Sequence, residues 1–230
     1  MSDITLNYTE KGSGYPLILL HGNGENREYF CRQTEYFSKD FRVIAVDTRG
    51  HGKSPRGGGE FTLIRFADDL YDFMKELGIE KAHILGFSDG ANIAMYFALK
   101  YPKSVERLVL NGGNISPDGV KRYFQVFVEF GYKIALQSAG KSEKAQRNAE
   151  MLGLMVNEPH IKPSELKKIG CPTLVLAGTH DLIKRRHTEL IAASIPNAAL
   201  KFINGGHSIA ARKYKQYNKT VEEFLKGDFK

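Results

Sequence analysis

The sequence predicts an α/β fold: a doubly wound, mostly parallel sheet with helices on both faces and a short helical insertion. Three observations carry that prediction. Six short apolar runs recur along the 230 residues, segments of helical periodicity separate them, and one stretch, 113–164, breaks the alternation without a strand of its own. Continuous apolar runs suit strands covered on both faces. Their alternation with helices predicts βα units and a parallel sheet.

Each element follows from its residues. The first segment, ITLNYTEKG (4–12), reads as an antiparallel edge strand or hairpin. PLILLHG (16–22) reads as the first parallel strand and is followed by a helix over 25–37. FRVIAVD (41–47) is the next strand, and a helix over 63–77 places Ile64, Ala67, Leu70, Tyr71, Met74 and Leu77 on one face. AHILGF (82–87) hands over to a helix at 89–101, and RLVLNG (107–112) is the next strand. PTLVLAG (172–178), a helix at 187–194, ALKFING (199–205) and a last helix at 208–225 complete the alternation.

The chain therefore divides into a core, 1–112 and 165–230, and a helical insertion, 113–164. Within the insertion, Ser116-Pro117 and Ser142 are helix-start signals, and Gly131 is the expected break between two helices. The insertion follows a strand whose C-terminal end lies on the ligand-binding edge of such sheets, so it is expected to form a lid. Its aromatics, Tyr123, Phe124, Phe127 and Phe130, are expected to divide between packing on the core and lining a pocket. The alternative is two ordinary sheet-covering helices.

A chain of this length supports one sizeable core. Its 42% hydrophobic and 26% charged residues are ordinary for a soluble globular protein. No basic leader with an apolar stretch opens it, and no run reaches the ~18 apolar residues of a membrane span. Two cysteines, Cys31 and Cys171, without metal-ligand spacing, fit free thiols and a cytoplasmic location. The net charge of +7 is spread along the sequence without a nucleic-acid-binding motif, so no nucleic acid is expected as partner.

The chemistry centres on Gly86-Phe87-Ser88-Asp89-Gly90. A serine between two glycines, with a strand before and a helix after, is the pattern of a nucleophile held at a sharp turn. Serine needs a base to attack a carbonyl. His207, in NGGHSIAA after the last predicted strand, is the candidate; His160, His180 and His187 are its rivals among seven histidines. Asp181, in LAGTHDLI after the preceding strand, is placed to orient the imidazole and stabilise its charged form. The order Ser88, Asp181, His207 is the one expected of such an elbow. The oxyanion hole would use the backbone N–H of Asp89 and one from HGNGEN (21–26), with Asn23 preferred and Gly24 the alternative.

Together LLHGNGEN, VIAVDTRGHGKS, GFSDGA, LAGTHDLI and GGHS resemble, in order, the motifs of the α/β-hydrolase fold superfamily, in its compact lidded branch. SDGA is also similar to members that cleave small acyl esters, including amino-acid ester hydrolases resembling biphenyl hydrolase. The resemblance implies a serine hydrolase acting on a carboxylic ester or thioester through an acyl-enzyme, without cofactor or metal. A lyase, a carbon–carbon bond hydrolase, a perhydrolase or a non-catalytic binder on the same fold are the alternatives. Asp47, Arg49 and His51 are expected to brace the loop structurally. For the substrate, the aromatic insertion suggests an apolar group. Asp89 would favour a cationic amine, whereas Lys184, Arg185 and Arg186 would favour an anion.

Overall fold

The computed structural model describes residues 2–227 and contains a seven-stranded sheet. Its strands are β1 Tyr8–Lys11, β2 Tyr15–Leu20, β3 Phe41–Val46, β4 Ala82–Phe87, β5 Val105–Asn111, β6 Thr173–Gly178 and β7 Ala198–Ile203. They lie in the order β1-β3-β2-β4-β5-β6-β7. β1 is the antiparallel edge strand, with Tyr8 opposite Val46, and all other pairings are parallel. From β2 the chain steps outward to β3, then returns to the other side of β2 as β4. The loops after β2 and β4 are therefore neighbours at the point where the winding reverses, which is where such sheets bind ligands.

The central strands are buried on both faces of the sheet, whereas the edge strands β1 and β7 are partly or wholly exposed. β2 sends Ile18 and Leu20 into one core and Leu17 and Leu19 into the other; β3 divides Ile44 and Val46 from Val43 and Ala45 in the same way. Each of the valine, leucine and isoleucine side chains, fully buried, contributes about 1.5–3 kcal/mol. Helices α2 Leu63–Glu76, α3 Asp89–Lys100 and α7 Arg185–Ser194 cover the first face. Helices α1 Cys31–Phe37, α8 Ile209–Arg212 and α9 Tyr214–Lys226 cover the second.

Local chemistry sets the helix ends. Thr62 caps α2 by accepting from the Arg65 N–H at 3.2 Å. Asn26 accepts from the Glu28 N–H at 2.8 Å and opens a 3-10 turn, Arg27–Phe30, so the segment expected as one helix over 25–37 begins with a tighter turn. In α2 the core face is Leu63, Phe66, Ala67, Leu70, Phe73 and Met74; Ile64 is 47% exposed, contrary to the predicted face. The last helix is divided at Lys213 into α8 and α9.

Between β5 and β6 lie α4 Arg122–Ser138, α5 Glu143–Asn157 and the short α6 Pro163–Leu166. α4 runs unbroken through Gly131; the break falls at 139–142, where the Ser142 hydroxyl accepts from the Ala145 N–H at 3.2 Å and starts α5. One glycine in a helix costs only about 1 kcal/mol relative to alanine, too little to interrupt a helix packed along its length on α5. Ser116-Pro117 opens a 3-10 turn, Pro117–Gly119, instead of a helix. The aromatics also divide differently from expectation. Phe124 turns inward, whereas Tyr123, Phe127 and Phe130 are 67%, 72% and 64% exposed. α4 packs through the opposite side, where Gln125, Val128 and Ala135 are buried. Among the described residues no helix is long and apolar enough to cross a membrane.

Candidate active site

β4 ends at Phe87, and Ser88 takes φ 53°, ψ −121°, the one positive φ at a non-glycine among the described residues. These are mirror-turn angles that side chains other than glycine adopt at a cost of about 1–3 kcal/mol. The strain holds because the surroundings fix it: the Ser88 N–H donates to the Asn111 carbonyl at 2.8 Å, and α3 starts immediately afterwards. The flanking glycines are required by close approach. A Cβ at Gly86 would fall on the Gly90 carbonyl, and one at Gly90 on the Leu20 carbonyl of β2.

Ser88 Oγ lies 3.0 Å from His207 Nε2, and His207 Nδ1 lies 2.6 Å from Asp181 Oδ1. The line runs from the end of β4 to the loops after β7 and β6, joining residues 119 and 26 apart in sequence. Asp181 also accepts from the Ile183 N–H at 3.0 Å and the Gly178 N–H at 3.1 Å. Burial opposes its ionisation, but His207 and these two amides outweigh burial and hold the carboxyl below the ordinary value of 3.8. The anion so fixed favours the His207 tautomer with hydrogen on Nδ1 and a free Nε2 facing the serine.

The rival histidines are elsewhere. His160 and His180 are exposed. His187 accepts from the Ile115 N–H at 3.0 Å, and burial keeps its pKa below the ordinary value. His21 is buried, is pushed down to about 4 by desolvation, and accepts from the Thr48 N–H at 3.1 Å. Thr48 belongs to the DTRGHGKS loop, in which Asp47 and Arg49 are fully buried and paired internally, while Lys53 is exposed. Asp47 takes the Arg27 and Lys53 N–H groups, both at hydrogen-bond distance, and the fully buried Arg49 donates to Asp69 at 2.6 and 2.7 Å and to Asp3 at 2.6 Å. This loop is a brace between β2, β3 and α2.

The pocket over Ser88 is lined by Asn23 and Asp89 on the sheet side and by Phe124, Gln125, Met155 and Glu158 from the inserted segment and its helices. Asp89 is the first residue of α3, so its N–H is one of the donors a helix leaves without an internal acceptor. The loop carrying Asn23 is clamped by its own side chain: Nδ2 donates to Asp89 Oδ2 at 2.8 Å and to the Met151 carbonyl of α5 at 2.9 Å. Sequence reasoning selected Asn23 for its backbone and missed this second contact, which spans 128 residues.

Two further pocket carboxyls were also missed, Glu25 and Glu158. Burial raises Asp89, opposed by the Asn23 amide, His207 and the Asn92 amide. Burial likewise raises Glu158, opposed by the Leu63 N–H and reinforced by Asp89, and raises Glu25, opposed by the Gly22 N–H and His207. Lys184, Arg185 and Arg186 are absent from the lining. Lys184 donates to the Asp118 carbonyl at 2.7 Å and Arg185 to Glu189 at 2.9 Å, both on the surface.

The family model of the alpha/beta hydrolase fold matches residues 15–148. The chain is 28% identical to the serine hydrolase BPHL of Mus musculus, covering 98% of this chain and 84% of that protein. It is 27% identical to the 2-hydroxy-6-oxo-6-phenylhexa-2,4-dienoate hydrolase of Comamonas testosteroni, over 98% and 93%. A thermophilic esterase from Thermogutta terrifontis superposes with a TM-score of 0.82 at 25% identity, over 99% of this chain and 95% of that one. With a parallel sheet reversing beside β2, a serine at the strained turn after β4 and a family match across more than half its length, the chain belongs to the alpha/beta hydrolase fold family.

Proposed function

We propose that the chain is a serine hydrolase that cleaves a carboxylic ester or thioester through an acyl-enzyme. The observation that carries this reading is the unbroken hydrogen-bonded line Ser88–His207–Asp181 at the base of a pocket. Ser88 Oγ attacks the carbonyl carbon while His207 Nε2 takes its proton; Asp181 keeps the imidazole in the required tautomer and stabilises the imidazolium. The negative charge that develops on the carbonyl oxygen is met by the N–H groups of Asn23 and Asp89. His207 then protonates the leaving group, and in the second half it activates water against the acyl-enzyme.

Residues 113–164 act in this reading as a lid on a core of 1–112 and 165–230, since α4 and α5 bring Phe124 and Met155 to the pocket. Val120, Leu182 and Ile183 add apolar wall, which suits a small substrate with an apolar group. Three pocket carboxyls and no lysine or arginine in the lining favour neutral or cationic substrates over anions. A second reading, hydrolysis of a carbon–carbon bond on the same three residues, is supported by the likeness to the Comamonas enzyme.

The test pairs Ser88→Ala with the wild type, using a fluorophosphonate probe and a panel of p-nitrophenyl esters beside a dienoate substrate. Loss of the nucleophile should lower turnover by at least ~10³-fold and abolish labelling. A folded Ser88→Ala protein that keeps more than about a tenth of the activity would remove the serine from the mechanism. Turnover of the dienoate with none of the esters would favour the second reading.

A further inference from the structure

The side of α4 turned away from the pocket carries Tyr123, Phe127, Phe130 and Ile134 at spacings of four, three and four, with Val126 beside them. All five are exposed: 67%, 72%, 64%, 50% and 46%. They form one stripe ~16 Å long on a helix of 1.5 Å rise per residue. Taking ~150–250 Å² for each aromatic side chain, the stripe exposes on the order of 500 Å² of mostly apolar surface. That lies at the upper end of the largest patches on soluble monomers, which are often functional. Nothing in the hydrolytic chemistry uses it: α4 reaches the pocket through Phe124 and Gln125, from its other side.

The charge around the stripe narrows the choice of what covers it. From Lys121 to Arg147 the chain carries six basic residues against two glutamates, within a protein of net charge +7. Arg122 and Lys133 are exposed on α4 itself, and Lys141, Lys144 and Arg147 are exposed at the far end of the α4–α5 pair. A second copy docked on this face would bring like charges together, and the stripe falls short of the ~800 Å² per partner of a stable interface. An aromatic stripe flanked by lysine and arginine is instead the composition of a helix that lies in the surface of an anionic bilayer, with its rings among the headgroups and its cations near the phosphates.

We propose that the chain docks on anionic lipid bilayers through the outer face of α4, with Tyr123, Phe127, Phe130 and Ile134 entering the interface and Arg122, Lys133 and Lys141 meeting the charged headgroups. The association is peripheral and reversible. It does not depend on the hydrolase reading, because its assay measures binding alone.

The experiment is co-sedimentation of the full chain with vesicles of phosphatidylcholine mixed with phosphatidylglycerol, and with vesicles of phosphatidylcholine alone, at low and high salt. Sedimentation velocity without lipid is run alongside. The expected result is binding to the mixed vesicles that weakens with salt. Lys133→Glu should weaken it on the order of tenfold. The double variant Phe127→Ser/Phe130→Ser should abolish it while keeping the wild-type melting temperature and fluorophosphonate labelling, since neither ring touches core or pocket. The proposal is overturned if the mixed vesicles are not bound, if the double variant binds them as the wild type does, or if binding ignores the phosphatidylglycerol. A dimer that dissociates in the double variant would also overturn it, placing a second copy on the stripe.

Discussion

Replacing Ser88 by glycine is predicted to stabilise the protein relative to replacing it by alanine. Both changes remove the hydroxyl and its 3.0 Å contact with His207, so that loss cancels in the comparison. What differs is the backbone, held at φ 53°, ψ −121°. Alanine keeps a Cβ in this region and retains strain of about 1–3 kcal/mol, which glycine does not feel. Glycine loses more chain entropy on folding, a penalty of about 0.4–1 kcal/mol. It also gives up the Cβ that packs beside Gly22, worth a few tenths of a kcal/mol. The balance is about 1 kcal/mol in favour of glycine, or about 2–4 °C in melting temperature for a chain of this size. Paired thermal melts of purified Ser88→Ala and Ser88→Gly, both inactive, measure it directly. A glycine variant that melts at or below the alanine variant would show that the turn is not strained and that the serine's geometry has another origin.

Three further outcomes follow from the same geometry. Asp181→Asn places its amide nitrogen against the Gly178 N–H or the Ile183 N–H, whichever way it turns, and removes the charge opposite the imidazolium. With about 4 kcal/mol for such a pair at an effective dielectric of 20, kcat should fall about a thousandfold, read from initial rates on a p-nitrophenyl ester. Because the folded Asp181 carboxyl titrates below its ordinary value of 3.8, its contribution to stability is complete above that value and lost as pH falls through the lower folded one. The gap in melting temperature between wild type and Asp181→Asn should therefore close in strong acid. A gap independent of pH would show that the carboxylate is not preferentially stabilised by folding. Phe124→Ala, which enlarges the pocket, should shift relative kcat/KM among acetate, butyrate and octanoate esters by ~10-fold or more, whereas Phe127→Ala should leave both preference and melting temperature unchanged. Equal effects of the two would contradict the inward and outward faces of α4.

The sequence by itself determined what depends on local pattern. Short continuous apolar runs such as Leu17 to Leu20 and Leu174 to Ala177, alternating with helical segments, suit strands covered on both sides, and they are buried so. Gly86 and Gly90 stand where their neighbours' carbonyls leave no room for a Cβ, so the elbow was visible as a spacing. The order of Ser88, Asp181 and His207 followed from which strand each one succeeds, and the sheet order brings those strand ends together. Tertiary structure alone decided the rest. Apolar character at Tyr123, Phe127, Phe130 and Ile64 says that a side chain would gain from burial, not that a partner exists, and at these positions none covers them. Gly131 signalled a break because isolated propensity favours one, yet packing against α5 carries the helix through it. Glu25 and Glu158, more than a hundred residues apart, carry no shared motif, and only the folding of α5 over the loop after β2 sets them in one pocket with Asp89. Burial there raises all three carboxyls, a property of the space between elements that no single segment contains.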